Sequence, residues 1–216
     1  MKTFEHRFGD SPSFLRWFAV AYAKVFGWKV VGKAPEEKKM MGIIAPHTSQ
    51  WDVFIMYIMA YNMGISANWL AKDNIFIWPL SIFWRKMGAI PVNRRQHTNF
   101  VDQVAGLFDQ YPSLYLAIAP EGTRAYTDRW KTGFYWIALK AKVKIVLMYI
   151  DYERKETGFG PIIEPSGDIE KDFELIKAFY STITPLYPEK RSAMVINAAR
   201  PDELPPEGQP EQKAAP

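Results

Sequence analysis

The 216-residue chain contains no cysteine. That absence excludes disulfides, a thiolate metal site and a cysteine nucleophile, and it is compatible with a reducing compartment. No Gly-x-Ser-x-Gly turn is present either, so the strained serine elbow of many hydrolases is missing. Basic runs stop at pairs such as Lys38-Lys39 and Arg94-Arg95, and no Lys/Arg-rich helix is visible. Nucleic acid is therefore a weak candidate partner. The first residues, Met1 to Asp10, are polar and charged, and the apolar stretch that follows is interrupted by Arg16 and Lys24. This is not the pattern of a secretory leader. One uncharged run, Val53 to Ala71, reaches membrane-spanning length. It also contains Asn62, Gly64, Ser66 and Asn68, so it reads as a buried helix, a turn and a strand rather than a span.

What the chain does have is apolar content of 48 % and a dense set of aromatics, with Trp 8, Tyr 11 and Phe 14. That is enough for one domain with a sizeable core. Many aromatics lie near the N-terminus and between Trp51 and Trp84. They fit a filled core, and equally a surface at the headgroup level of a membrane. The net charge of +4 suits an anionic lipid surface, an acidic carrier protein or a phosphorylated substrate.

Phe14, Leu15, Trp17, Phe18, Ala21, Val25 and Trp28 recur at helical spacing with Arg16 and Lys24 between them. They predict an amphipathic helix region over residues 1–28, either packed on the domain or lying in a membrane interface. Beyond it, residues 29–200 alternate. Short apolar strands are predicted at Gly42–Ala45, Ala67–Ala71, Ala89–Val92, Leu114–Ala119 and Val143–Ile150. Helices are predicted at Trp51–Asn62, Pro79–Met87, Thr98–Gln110 with Thr98 as N-cap, Gly133–Lys142 and Asp168–Thr182. This predicts a single α/β domain with a central, mostly parallel sheet flanked by helices. The Pro/Glu/Gln/Ala-rich residues 201–216 read as a disordered tail.

Ligands of such sheets gather at the C-terminal ends of strands. His47 and Glu121 both fall just after predicted strands. His47 and Asp52 are five residues apart, which on one continuous helix would set them about 140° apart. Ser49-x-x-Asp52 has the form of a capping box, so Ser49 is expected to cap the helix. His47 then sits in the preceding loop and Asp52 in the first turn, where the two can meet. A carboxylate beside an imidazole fixes its tautomer and stabilises the imidazolium. The pair can serve as a general base that takes a proton from a hydroxyl as it attacks a thioester. With no nucleophilic cysteine or serine elbow, direct transfer from donor to acceptor is simpler than an acyl-enzyme. Glu121-Gly122-Thr123-Arg124 is a short glycine-containing turn. Its glycine allows close backbone approach, Thr123 adds a hydroxyl, and Arg124 offers a planar fork suited to phosphate. A plain loop with a structural Glu–Arg pair explains the same residues.

The blocks His47-Thr48-Ser49-Gln50-Trp51-Asp52, Gly88-Ala89-Ile90-Pro91-Val92-Asn93-Arg94 and Glu121-Gly122-Thr123-Arg124, in this order, resemble the glycerolipid acyltransferases related to 1-acylglycerol-3-phosphate acyltransferase. The resemblance spans roughly residues 30 to 165. It implies a central sheet flanked by helices, peripheral binding at the cytoplasmic face of a membrane, and acyl transfer from acyl-CoA or acyl-carrier protein to a lysophospholipid, with no metal and no cofactor. By the same resemblance Arg94 helps hold the acceptor phosphate, and Lys72 matches a lysine that follows the second strand. Two positions depart from the family pattern. Pro46 stands where the family usually has Asn, and Lys144 stands where a proline usually centres the fourth block. Two rival readings remain: a thioester hydrolase with His47 activating water, and a non-catalytic peripheral protein that binds anionic lipid.

Overall fold

The computed structural model describes residues 13–92 and 100–197. Arg94, the expected cap Thr98 and the tail at 201–216 lie outside the described residues. The elements alternate as the sequence pattern predicts. Helix α1 (Ser13–Phe26) leads into β1 (Lys29–Val31) and β2 (Lys39–Ile44), followed by α2 (Trp51–Met63) and β3 (Ala67–Lys72). Then come α3 (Leu80–Lys86), β4 (Ala89–Val92), α4 (Phe100–Gln110), β5 (Leu114–Ile118) and α5 (Gly133–Ala141). The chain closes on β6 (Lys144–Asp151), β7 (Glu156–Ile163) and α6 (Ile169–Tyr180).

All seven strands join one sheet in the order β1-β7-β6-β2-β5-β3-β4. Every neighbouring pair is parallel except β6 with β7. The central strands are buried on both faces, as the run of buried residues along β6 shows. Such strands read as continuous apolar runs rather than alternating ones, and this made them visible in the sequence. Alternate residues feed two cores. Met41, Ile43, Leu116 and Leu147 pack with Phe108 of α4, Phe134 of α5 and Tyr180 of α6. Met40, Ile44, Val146 and Met148 face the other way, onto Ile55, Met56 and Met59 of α2. Helix α1 lies on that second side, with Ala19 and Ala23 against Ile58 of α2. Helix α3 is on the same side: Trp84 meets Trp69 edge-on, and Tyr57 of α2 donates to the Met87 carbonyl at 2.6 Å.

The uncharged run from Val53 to Ala71 divides into α2, a left-handed turn at Gly64 and β3. Among the described residues no helix is long and apolar enough to cross a membrane. Two strands were not predicted. β1 has only three residues, too few for a pattern. β7 contains Gly158, Gly160 and Pro161, which read as loop. The structure supplies the reason for Gly158: a Cβ there would sit 2.1 Å from the Val31 carbonyl oxygen. The close β1–β7 pairing therefore requires glycine.

Candidate active site

Strand β2 delivers Ala45, Pro46 and His47 at its C-terminal end, and α2 begins at Trp51. The flanking residue that opens the helix is Gln50, not Ser49, and its side chain makes no capping bond. Ser49 still does part of the capping work, since its hydroxyl accepts from the Trp51 amide at 3.1 Å. Asp52 supplies the reciprocal half: its Oδ2 accepts from the amides of Thr48 and Ser49, each at 2.9 Å. The carboxylate satisfies amides that the helix cannot.

The same Oδ2 lies 3.0 Å from His47 Nδ1. A carboxylate oxygen that already accepts from two amides can only accept again, so Nδ1 carries the proton and donates it. Nε2 is left with its lone pair, and among the described residues nothing bonds to it. The His47 side chain is 17 % exposed and that of Asp52 2 %. The imidazole thus presents one basic nitrogen outward from a sealed carboxylate. The other Asp52 oxygen, Oδ1, accepts from the Tyr152 hydroxyl at 2.7 Å. Tyr152 follows β6, stacks edge-on with Trp28, and donates its backbone amide to the Thr184 carbonyl. Burial, then the bond to Asp52, drives its phenol well above its ordinary range, so it remains a donor. Sequence reasoning missed Tyr152. The signal that flagged His47 also applies to it, because it too stands just past the C-terminal end of a buried strand.

Glu121 follows β5, the parallel neighbour of β2. It is 3 % exposed, and its Oε2 accepts from the His47 backbone amide at 2.7 Å. Burial pushes its carboxyl up to about 7, against the lowering effect of that amide. The sequence reading set the whole Glu121-Gly122-Thr123-Arg124 turn among the substrate-binding residues. Its carboxylate instead turns inward and fixes the backbone of the histidine. The rest of the turn faces out. Gly122 has φ +67, a left-handed conformation that suits glycine, and a Cβ there would press on the Lys131 side chain at 3.1 Å. Thr123 and Arg124 are exposed. The Thr123 hydroxyl accepts from the Ala125 amide at 3.2 Å. Among the described residues no carboxylate lies within ion-pair distance of Arg124. Lys72 is the exposed last residue of β3, which is parallel to β5. Strands β2, β3 and β5 all point the same way, so His47, Lys72 and Glu121 to Arg124 share one edge of the sheet. Arg94, two residues past β4, lies outside the described residues. Lys144 opens β6 at the opposite end, opposite Met40, and pairs with Glu37 at 2.7 Å. This departure from the family pattern is thus remote from His47. The residues at the site make no metal-ligand cluster, and among the described residues there is none elsewhere.

No curated protein sequence matches the chain. A solved structure does. The crystal structure of the 1-acyl-sn-glycerophosphate (LPA) acyltransferase PlsC from Thermotoga maritima superposes with a TM-score of 0.54. The superposition covers 78 % of this chain and 76 % of that one at 13 % identity, a likeness of fold. The sequence profile described as Acyltransferase matches residues 28–151, from the start of the sheet through β6 and so across all three motif blocks. The chain belongs to the acyltransferase family.

Proposed function

We propose that the protein moves a fatty acyl group from an acyl thioester, carried by CoA or acyl-carrier protein, to the hydroxyl of a lysophospholipid, with 1-acylglycerol-3-phosphate as the first acceptor to test. Nε2 of His47 takes the acceptor hydroxyl proton as its oxygen attacks the thioester carbonyl. The tetrahedral adduct collapses, the carbon–sulfur bond breaks, and the leaving thiolate takes the proton from His47. Acyl ester and free thiol result, with no covalent enzyme intermediate. Asp52 keeps the imidazole in the Nδ1–H form and stabilises the imidazolium between the two proton transfers. Arg124, Lys72 and Arg94 hold the acceptor phosphate, with Gly122 and Thr123 exposing the turn to it. The N-terminal helix lies on the bilayer that supplies the acceptor. The observation that carries this reading is the 3.0 Å contact between His47 and Asp52 with Nε2 unpartnered.

The test is product analysis by mass spectrometry, with a panel of lysolipids offered together with acyl-CoA or acyl-carrier protein. A phosphorylated lysolipid should be acylated. His47→Ala should lower turnover by at least about 10²-fold with the fold intact, in keeping with the ordinary contribution of a general base. Release of free fatty acid at a rate indifferent to added lysolipid would assign the chain as a thioesterase instead.

A further inference from the structure

Residues 77–83 read Ile-Trp-Pro-Leu-Ser-Ile-Phe. Five of these seven are large and apolar, and all five face solvent: Trp78 is 80 % exposed, and Ile77, Leu80, Ile82 and Phe83 are each half exposed or more. Isolated exposed apolar residues need no explanation, but a contiguous patch marks a surface that is covered in use. The patch is also held firmly. The Ser81 amide donates to the Ile77 carbonyl at 2.8 Å, the Met87 carbonyl accepts from Tyr57, and Trp84 packs on Trp69.

Its charge is one-sided. From Lys72 to Val92 the chain carries Lys72, Arg85 and Lys86 against the single carboxylate of Asp73. Arg85 sits over the Phe76 ring at 5.2 Å, so its cation borders the apolar patch. Apolar side chains rimmed by cations, with a tryptophan at the tip, match the boundary of an anionic bilayer. They match a second copy of this chain poorly, because a two-fold pairing would bring the same cations together. The position fits as well. The segment leaves the C-terminal end of β3, the edge that carries His47. At that edge Trp51 is also exposed, and its ring joins Phe54, Tyr22 and Phe26 in a chain of contacts reaching α1.

We propose that residues 77–83 are a second lipid-docking element, separate from α1, which seats the catalytic edge on an anionic membrane surface. This deepens the membrane-facing part of the function proposed above. It is tested by vesicle binding alone, so loss of the acyltransfer reading would leave it standing, and the reverse. The cysteine-free chain allows a clean measurement. Trp78→Cys and, on α6, Leu175→Cys are each labelled with an environment-sensitive dye. The full-length proteins are then titrated with vesicles of phosphatidylcholine, with and without phosphatidylglycerol. The dye at position 78 should move to an apolar environment on anionic vesicles and be quenched by brominated acyl chains, while the dye at 175 should not respond. Unlabelled Ile77→Ser/Trp78→Ser should bind anionic vesicles at least about tenfold more weakly than the parent, since each large side chain withdrawn from lipid forfeits its transfer free energy. A dye at 78 that stays in water while the protein sediments with vesicles would leave docking to α1 and overturn the proposal. So would a dye response that needs no vesicles and rises with protein concentration as the mass doubles, which would identify a second copy as the cover. Failure of the full-length protein to bind any vesicle would overturn it as well.

Discussion

The two faces of the sheet are covered by helices of opposite outer character. On one face, α4, α5 and α6 bury their apolar stripes and turn charges outward. Lys140 of α5 pairs with Asp102 of α4 at 2.5 Å, and Lys177 lies 3.8 Å from Glu174 along α6. Leu175 is the only large apolar side chain that these three helices expose among the described residues. On the other face, α1, α2 and α3 carry Arg16, Lys24, Arg85 and Lys86, and their one carboxylate, Asp52, is buried in the site. Their outer surface is instead aromatic and aliphatic, with Trp17 of α1 73 % exposed and Trp51 of α2 61 %. A surface of paired charges needs only water. A surface of exposed rings and scattered cations suits the bilayer proposed above, and His47 opens on the end of the sheet where that surface begins.

Interior and exterior rings should differ most. Phe108, on the inner face of α4, is 1 % exposed, and Phe83 of α3 is half exposed. Phe108→Ala should cost about 3–5 kcal/mol in chemical denaturation, and Phe83→Ala within about 0.5 kcal/mol. A large loss from Phe83→Ala would mean that α3 is packed into the fold and would break the contrast.

Next comes Glu121, whose folded carboxyl titrates near 7 against an ordinary value of 4.5. The folded protein holds this proton more tightly than the unfolded chain. Stability is therefore greatest below the ordinary carboxylate range and falls as pH rises through about 7, by about 3 kcal/mol in all. In Glu121→Gln the amide oxygen can still accept from His47, and that slope should vanish. Denaturation midpoints of both proteins across pH 4 to 8 measure it, and an unchanged slope assigns the proton elsewhere.

Arg124→Ala should raise the Michaelis constant for a phosphorylated acceptor by about tenfold or more, the equivalent of roughly 1.5–3 kcal/mol for a charge-assisted bond. The donor constant should change less. Arg124→Lys should recover only part, since a point charge cannot reproduce the fork. A rise in the donor constant alone would move the arginine to the carrier. The smallest effect belongs to the charged face. Lys140→Ala should cost about 0.2–1 kcal/mol, less at high salt, and should leave vesicle binding unchanged.

The sequence made the parallel strands legible because burial on both faces writes them as unbroken apolar runs, and the helices because each carries an apolar stripe. It hid β7 because the glycine that β1 demands looks like a turn, and it hid β1 because three residues carry no period. At the site, His47 and Asp52 were legible because their relation is local: a helix start converts a spacing of five into a contact. Tyr152 was not, because its bond to Asp52 joins residues a hundred positions apart and exists only once β6 lies beside β2. Glu121 was recognised as part of a block, but its inward turn depends on the β2–β5 pairing, which no local pattern encodes.

That inward turn gives the molecule a yoke. Glu121 grips the backbone of His47, and Arg124, three residues on, reaches into solvent from the same tight bend. One short stretch of chain therefore holds the His47 backbone at one end and presents an exposed guanidinium at the other. In the reaction proposed above, the hold on the acceptor and the aim of the base would therefore rest on neighbouring residues of one turn.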